Sequence, residues 1–466
     1  MLVGQVYRLD MDVQRDFCFD HALLPGGWAS SVRVGIADGT IVSVATSAER
    51  AGADVFAGIA VPGLPNLHCH AFQRGMAGLA ERRGPADDSF WTWREIMYRF
   101  LAALTPEDVE AIAAFAYMEM LEAGFTSVGE FHYLHHDPNG RPYADLGEMA
   151  GRIAAAATET GIGLTFLPSL YISGGFGGAP PTKGQRRFLN NPDRFLDLVA
   201  RTRDIAAGLP DARVGIAPHS LRAVPPDALR RAVEAFPEGP VHIHAAEQVK
   251  EVEDCVAAKG ARPVEWLLDH AGVDARWCLV HATHMTPGET DALARSGAVA
   301  GLCPLTEASL GDGIFNGVDY LVAGGRFGIG TDSNIQIDAA GELRQLEYGQ
   351  RLAHLGRNMM ATLEGESTGR RLFTTALAGS TQALGRPVGA IELGRRADIV
   401  VLDAEHADLA ASHNDGWLDA WIFVCGRAAV KDVFVGGQAL VEKGRHRLRE
   451  PIVNRYKAVL KRIMAE

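Results

Sequence analysis

Leu64-Pro65-Asn66-Leu67-His68-Cys69-His70 reads as a short β-strand that ends in two histidines one residue apart. Strand side chains alternate between faces, so His68 and His70 point the same way and Cys69 points the other way. Two imidazoles on one face can fill two positions on a single divalent ion. A lone His-x-His is a weak signal, and the rest of the chain strengthens it. Three later strand-like segments each end in a candidate partner: His244, His281 and Asp332.

Around this stretch, strand-like and helix-like segments alternate. The expected strands are Leu64 to His70, Phe125 to Tyr133, Ile162 to Tyr171, Arg213 to His219, Val241 to Glu247, Trp277 to Ala282, Ala298 to Cys303 and Phe327 to Asp332. Eight strands alternating with helices is the count of a (β/α)8 TIM barrel, an α/β fold whose active site lies at the C-terminal ends of its strands. The candidate ligands all fall at those ends. One intervening helix begins at Thr105-Pro106-Glu107-Asp108, with a Thr cap, Pro at the first helical position and acids in the first turn.

The two ends of the chain look different. Val32 to Ile36 and Ile41 to Val44 flank Asp38-Gly39, a hairpin signal, and near the other end Val433 to Val435 and Ala439 to Val441 flank Gly436-Gly437. Ala397 to Leu402 reads as a further strand. We therefore expect a small β-sandwich domain built from both chain ends. Residues 1–60 would supply its N-terminal part, 61–387 the catalytic barrel, and 388–466 its C-terminal part with a terminal helix. The glycine- and proline-rich stretch Gly174 to Pro181 is either a surface connection or a mobile lid.

Composition narrows the function classes. The 466 residues are 47% hydrophobic and 22% charged, as in a soluble globular enzyme with one large domain and a smaller one. A formal net charge of −12 argues against nonspecific nucleic-acid binding, while an anionic small substrate remains open if arginines gather in the pocket. The six cysteines are scattered without CxxC spacing, which points to reduced thiols in the cytoplasm rather than a disulfide framework. Met1 to Gln5 begins no signal peptide, and no apolar run is long enough to cross a membrane.

The chemistry sits on a few residues. His242 and His244 share a face of their strand, so spacing alone does not choose between them. His244 lies nearer the C-terminal end and is the expected ligand, leaving His242 as a packed core histidine. With His281, Asp332 and the nearby Glu247, the set suits metal-assisted hydrolysis, in which a divalent ion, most simply Zn²⁺, acidifies a bound water. There is no GxSxG or GxGxxG after an expected strand and no Walker loop.

The motifs PGLPNLHCH, HIHAAE, VHATH and GIGTDSN, followed by Gly389 to Gly394 and Ala397 to Asp403, resemble the amidohydrolase superfamily over almost the whole chain. The HxxE at His244 and Glu247 is similar to that of its one-metal deaminase branch. The fourth strand, Val214 to His219, lacks the lysine that two-metal members carbamylate. Within the superfamily, His68 to Arg74, Pro218 to Val224, Glu247 to Val252, Arg262 to His270 and Gly177 to Pro181 resemble the formimidoylglutamate deiminases.

That resemblance implies hydrolysis of N-formimino-L-glutamate to N-formyl-L-glutamate and ammonia, in histidine degradation, by a homodimer with one metal ion per subunit. It implies His68, His70, His244 and Asp332 as metal ligands. Glu247 would be the proton shuttle, and His281 a base or polarising group, with the water's proton going to either Asp332 or His281. Gln73, Arg94, Tyr133, His219 and Arg222 would bind substrate. The alternative reading is a deaminase of a purine or other heterocyclic amine; Arg94 and Arg222 suit carboxylates better. A catalytically dead binding barrel would need a broken ligand set, and no ligand is missing.

Overall fold

The computed structural model of the protein describes residues 6–9, 13–84 and 88–465. The leader reading of Met1 to Gln5 lies outside them. Five strands open the chain: β1 (Val6–Arg8), β2 (Arg15–Leu24), β3 (Gly27–Ala37), β4 (Thr40–Ala45) and β5 (Asp54–Pro62). β3 and β4 form the expected hairpin, with Ala37 opposite Thr40 and left-handed backbone at Asp38 and Gly39 (φ 48° and 77°), as a tight two-residue turn requires.

Only Gly63 separates β5 from the first barrel strand, β6 (Leu64–Cys69). The barrel continues through β7 (Phe125–His132), β8 (Gly163–Leu170), β9 (Arg213–Val214), β10 (Ala217–Pro218), β11 (Val241–Ala245), β12 (Trp277–His281), β13 (Val299–Leu302) and β14 (Arg326–Ile329). All its ladders are parallel. They form two arcs, β6 to β10 and β11 to β14. Parallel bridges join the arcs at Ile216–Val241 and Ser220–His244 on one side and Cys69–Asp332 on the other. At the second seam, the Thr331 and Asp332 amides both donate to the His68 carbonyl at 3.0 Å.

All eight expected barrel strands are present, and each stops short of its expected C-terminal end. The fourth is broken into β9 and β10 at Gly215-Ile216, and it ends at Pro218, which supplies no backbone donor. Elsewhere the chain leaves the ladder through left-handed backbone: Ala246 at φ 53°, His281 at 68°, Ala282 at 48° and Asp332 at 42°. Such conformations are costly for residues with a Cβ and gather where side chains must be aimed.

The chain closes with β15 (Ile399–Leu402), β16 (Val430–Val435), β17 (Gln438–Glu442) and β18 (Arg445–His446). These join β1 to β5 in one nine-stranded sheet of order β1-β4-β3-β2-β5-β15-β16-β17-β18. The β5–β15 pairing, Ile59 opposite Leu402 through Pro62 opposite Ile399, joins the two chain ends. Phe17, Phe19, Val34, Ile399, Val401 and Phe434 form part of a separate apolar core within this sheet.

Helix Pro106–Glu122 starts as expected. Thr105 accepts from the Asp108 amide at 3.2 Å, and Asp108 accepts from the Thr105 amide at 2.8 Å. The last helix, Arg449–Ile463, returns to it. Arg462 donates to Asp108, and the rings of Phe115 and Tyr456 stack at 3.9 Å. Helix Thr368–Leu384 packs its backbone directly on β14, and a Cβ built at Gly379 would stand 1.9 Å from the Phe327 carbonyl oxygen. Gly379→Ala is expected to cost about 3 kcal/mol or more, because backbone on both sides must move. A melting temperature equal to that of the unaltered protein would show that the two elements can separate freely.

Candidate active site

β6 delivers its histidines as the alternation requires. The His68 and His70 rings meet edge to face at 4.6 Å, while Cys69 faces Asn334 on the other side. His244, at the end of β11, brings its Nε2 to 3.2 Å from His68 Nε2. Asp332 Oδ1 lies 3.4 Å from Nε2 of both His68 and His70. His242 turns away and bonds the Ala383 carbonyl at 2.8 Å, as expected of a core histidine.

This arrangement suits a cation. His70 Nδ1 donates to the Phe131 carbonyl at 2.8 Å and His244 Nδ1 to the His219 carbonyl at 3.0 Å. Each ring nitrogen left over is therefore a lone pair aimed inward. Burial disfavours protonation of all three rings, pushing His68 down to about 3 and lowering His70 and His244. Nitrogens of His68, His70 and His244 lie within 4.8 Å of one another. Burial works to raise Asp332, yet the imidazoles around it, His68 foremost, hold it well below the ordinary carboxylate range. Three neutral nitrogens and one carboxylate on a common point are the donor set of a zinc-type centre.

Asn66, Thr331 and Asn334 brace this cluster from beneath. Asn66 Nδ2 donates to Thr331 Oγ1 at 2.7 Å, which donates to Asn334 Oδ1 at 2.7 Å. Asn334 Nδ2 donates to the carbonyls of His70 and Asp332, both at 3.1 Å. The sequence displayed these residues inside PNLHCH and GTDSN but gave no sign that they bond one another.

On the pocket side, His281 Nε2 stands 3.9 Å from both Glu247 Oε1 and Asp332 Oδ2. Burial opposes a charge on His281, but the carboxylates of Glu247, Glu307 and Asp332 overcome it and raise the ring well above its usual value. Burial likewise pushes Glu247 up to about 7. Asp312, held by Gln248 Nε2 on one oxygen, is raised to about 9, chiefly by burial. Sequence reasoning missed Glu307 and Asp312. Both lie in CPLTEASLGD, directly after β13 at the barrel mouth, and that position was their only signal.

The five expected substrate-binding residues line one cavity together with His70, His244, Glu247, His281 and Asp332. Gln73 Nε2 donates to Tyr133 Oη at 2.8 Å, and His219 Nδ1 lies 3.1 Å from Ser220 Oγ. Arg94, on helix Phe90–Ala102, sets its guanidinium 4.6 Å above the Trp91 ring, and Arg222 lies 5.6 Å from the same ring. Nε and Nη1 of both arginines are buried without a hydrogen-bond partner among the described residues. Arg94 thus lines the pocket of its own chain and also packs on tryptophan. Gly174 to Pro181 forms a small closed loop, with Gly174 N bonded to Ala179 O at 2.8 Å, and contributes no side chain to the cavity lining.

A parallel eight-stranded barrel with three inward imidazoles and an aspartate at its C-terminal mouth defines a hydrolase of the metal-assisted type. The sequence model of the Amidohydrolase family matches residues 59–440, and that of the formimidoylglutamate deiminase HutF N-terminal domain matches residues 19–56. The chain belongs to the amidohydrolase family, in its formimidoylglutamate deiminase branch. It is 52% identical to a formimidoylglutamate deiminase of Pseudomonas aeruginosa, over 92% of this chain and 94% of that one. The crystal structure of an amidohydrolase from Brucella melitensis superposes with a TM-score of 0.93 at 55% identity, covering 97% of this chain and 100% of the other. An adenosine deaminase from Xanthomonas campestris with bound zinc shares the fold at a TM-score of 0.80 and 22% identity, over 97% and 99% of the two chains.

Proposed function

We propose that the protein hydrolyses N-formimino-L-glutamate to N-formyl-L-glutamate and ammonia, as a step of histidine degradation. The observation that carries this reading is the pair Arg94 and Arg222, whose guanidiniums each bury two donors that are unpaired among the described residues, beside the imidazole–carboxylate cluster. A buried donor without a partner costs about 1–3 kcal/mol, more when charged, so the pocket is built to receive anionic groups. The substrate brings two carboxylates, and guanidinium forks bind carboxylates in bidentate fashion. A neutral heterocyclic amine would leave both arginines unpaired. The similarity to the Pseudomonas aeruginosa deiminase supports the same substrate.

His68, His70, His244 and Asp332 would hold one divalent ion, most simply zinc, which when bound supplies Lewis acidity and an acidified water. The fourth strand offers no lysine for a second ion. Arg222 and Arg94, with Gln73, Tyr133 and His219, hold the glutamate part so that the formimino carbon faces the cluster. Asp332 and, in its neutral form, His281 are the two acceptors offered to the proton that the attacking water gives up. His281 once protonated also steadies negative charge on the oxygen that adds to that carbon. Glu247, balanced near neutrality by burial, carries a proton to the formimino nitrogen and lets it depart as ammonia.

The test is ammonia release by the zinc-loaded protein from N-formimino-L-glutamate, with N-formimino-L-aspartate and guanine as controls. Turnover of the glutamate compound alone is expected, and guanine consumed at a comparable rate would replace this reading with the heterocyclic one. Dialysis against a chelator is expected to abolish ammonia release and lower the melting temperature. An ion bound only by the folded chain contributes about 4 kcal/mol at a thousandfold excess over its Kd. A melting temperature indifferent to chelator and zinc would remove the metal from this account. We extend the reading to a cytoplasmic homodimer, tested by the protein's mass in solution.

A further inference from the structure

We infer that Glu307 is a positioning residue for the reaction: its carboxylate fixes which nitrogen of His281 carries the proton into the hydrogen bond and thereby aims the other nitrogen at substrate. The inference rests on the proposed function and adds to it a residue outside the pocket lining.

Glu307 lies on the short helix Pro304–Leu310 that follows β13 and is buried. Its Oε1 accepts two hydrogen bonds, from the Cys303 amide at 2.8 Å and from His281 Nδ1 at 3.2 Å. The backbone bond matters because it pins the oxygen. A free glutamate could follow the ring, whereas one held by the Cys303 amide dictates where the ring must be. The Glu307 amide in turn donates to the Cys303 carbonyl at 2.9 Å, and the Asp312 amide to the Glu307 carbonyl at 2.9 Å, so the whole turn is closed on itself.

His281 needs such a partner. It sits at φ 68°, where the chain leaves β12, so the regular ladder does not set its side-chain direction. With Nδ1–H committed to Glu307, Nε2 is left facing the space between Glu247 and Asp332, 3.9 Å from each. The other ring tautomer would turn a lone pair against the Glu307 carboxylate and is excluded by repulsion. Cys303, Glu307 and His281 also lie close enough to share a cation. However, the Cys303 thiol is pushed up by burial and keeps its proton, and Nδ1 is already engaged.

A plainer role for Glu307 is to cap its own helix through the Cys303 amide, and the experiment separates the two. Glu307→Gln keeps an oxygen acceptor, and Glu307→Met keeps the volume without one. Histidine is labelled with ¹⁵N in the zinc-loaded protein without substrate, and the His281 Nδ1–H signal is assigned by its absence in His281→Asn. The signal is expected in the wild type and in Glu307→Gln, and lost to exchange in Glu307→Met. In turnover, Glu307→Gln is expected to lose no more than about tenfold in kcat and Glu307→Met about a hundredfold, with KM within about threefold in both. In a His281→Asn background, Glu307→Met should cost less than about twofold further, since the group it positions is gone.

A signal that persists in Glu307→Met, a Gln variant as impaired as the Met one, or an undiminished loss in the double variant would overturn the inference. If Glu307→Met does not fold, Glu307→Asp, which draws the oxygen back from Nδ1, is expected to lose the same signal and the same activity. The resonance is read without substrate. An inactive wild type would therefore overturn the substrate reading and still leave the hydrogen bond tested.

Discussion

Replacing His244 by alanine is expected to lower kcat/KM by at least about 10³-fold, because Lewis-acid stabilisation worth several kcal/mol goes with the ion. His244 closes the donor set from the far arc of the barrel: its Nε2 meets His68 Nε2 at 3.2 Å, and its ring is held by the His219 carbonyl. Without it, two histidines on one strand and an aspartate remain, a weaker and more open set. Zinc content per chain should fall together with activity. Asp332→Asn, which keeps the shape but removes the charge, should behave alike. Full turnover in either variant would sink the metal assignment, and full zinc content without turnover would move these residues from holding the ion to handling protons.

Arg222→Met is expected to raise KM for N-formimino-L-glutamate by on the order of 10²–10³-fold, with a smaller effect on kcat. The guanidinium is buried at the barrel mouth with two nitrogens unpaired among the described residues, so the fold does not use those donors and the proposed carboxylate contact would. Methionine fills similar space with no donor, and the substrate carboxylate then enters an apolar pocket unpaired. Folding should be unharmed, since the free protein no longer buries an unpartnered cation there. Steady-state kinetics decide it. An unchanged KM would mean that Arg94 and the polar groups near it carry the carboxylates alone.

Period-two alternation in PNLHCH was enough to bring His68 and His70 to one face, and strand-end positions were enough to collect His244, His281 and Asp332. The reason is physical: a parallel barrel forces the ends of all its strands to one mouth, so local position becomes three-dimensional position. Two partnerships stayed hidden because they join residues far apart in the chain. Strand-end position already favoured His244 over His242 as the ligand, but the carbonyl that holds His242, at Ala383, lies on a helix that no local pattern connects to β11. The role of Glu307 depends on a ring in another strand. The exact strand ends were missed because left-handed backbone at Ala246, His281 and Asp332 leaves no mark in apolar patterning.

The pairing of β5 with β15 bears on how the protein is made. β5 leads through a single residue into the strand that delivers His68 and His70, yet its neighbour on that side is made hundreds of residues later. At 5–20 residues per second, the nascent chain waits on the order of tens of seconds with that apolar edge uncovered. A chain broken off before Ile399 would keep every proposed metal ligand and every proposed substrate contact. It would still present Ile59 and Val61 on an open strand edge, the kind of surface that pairs with other copies and aggregates.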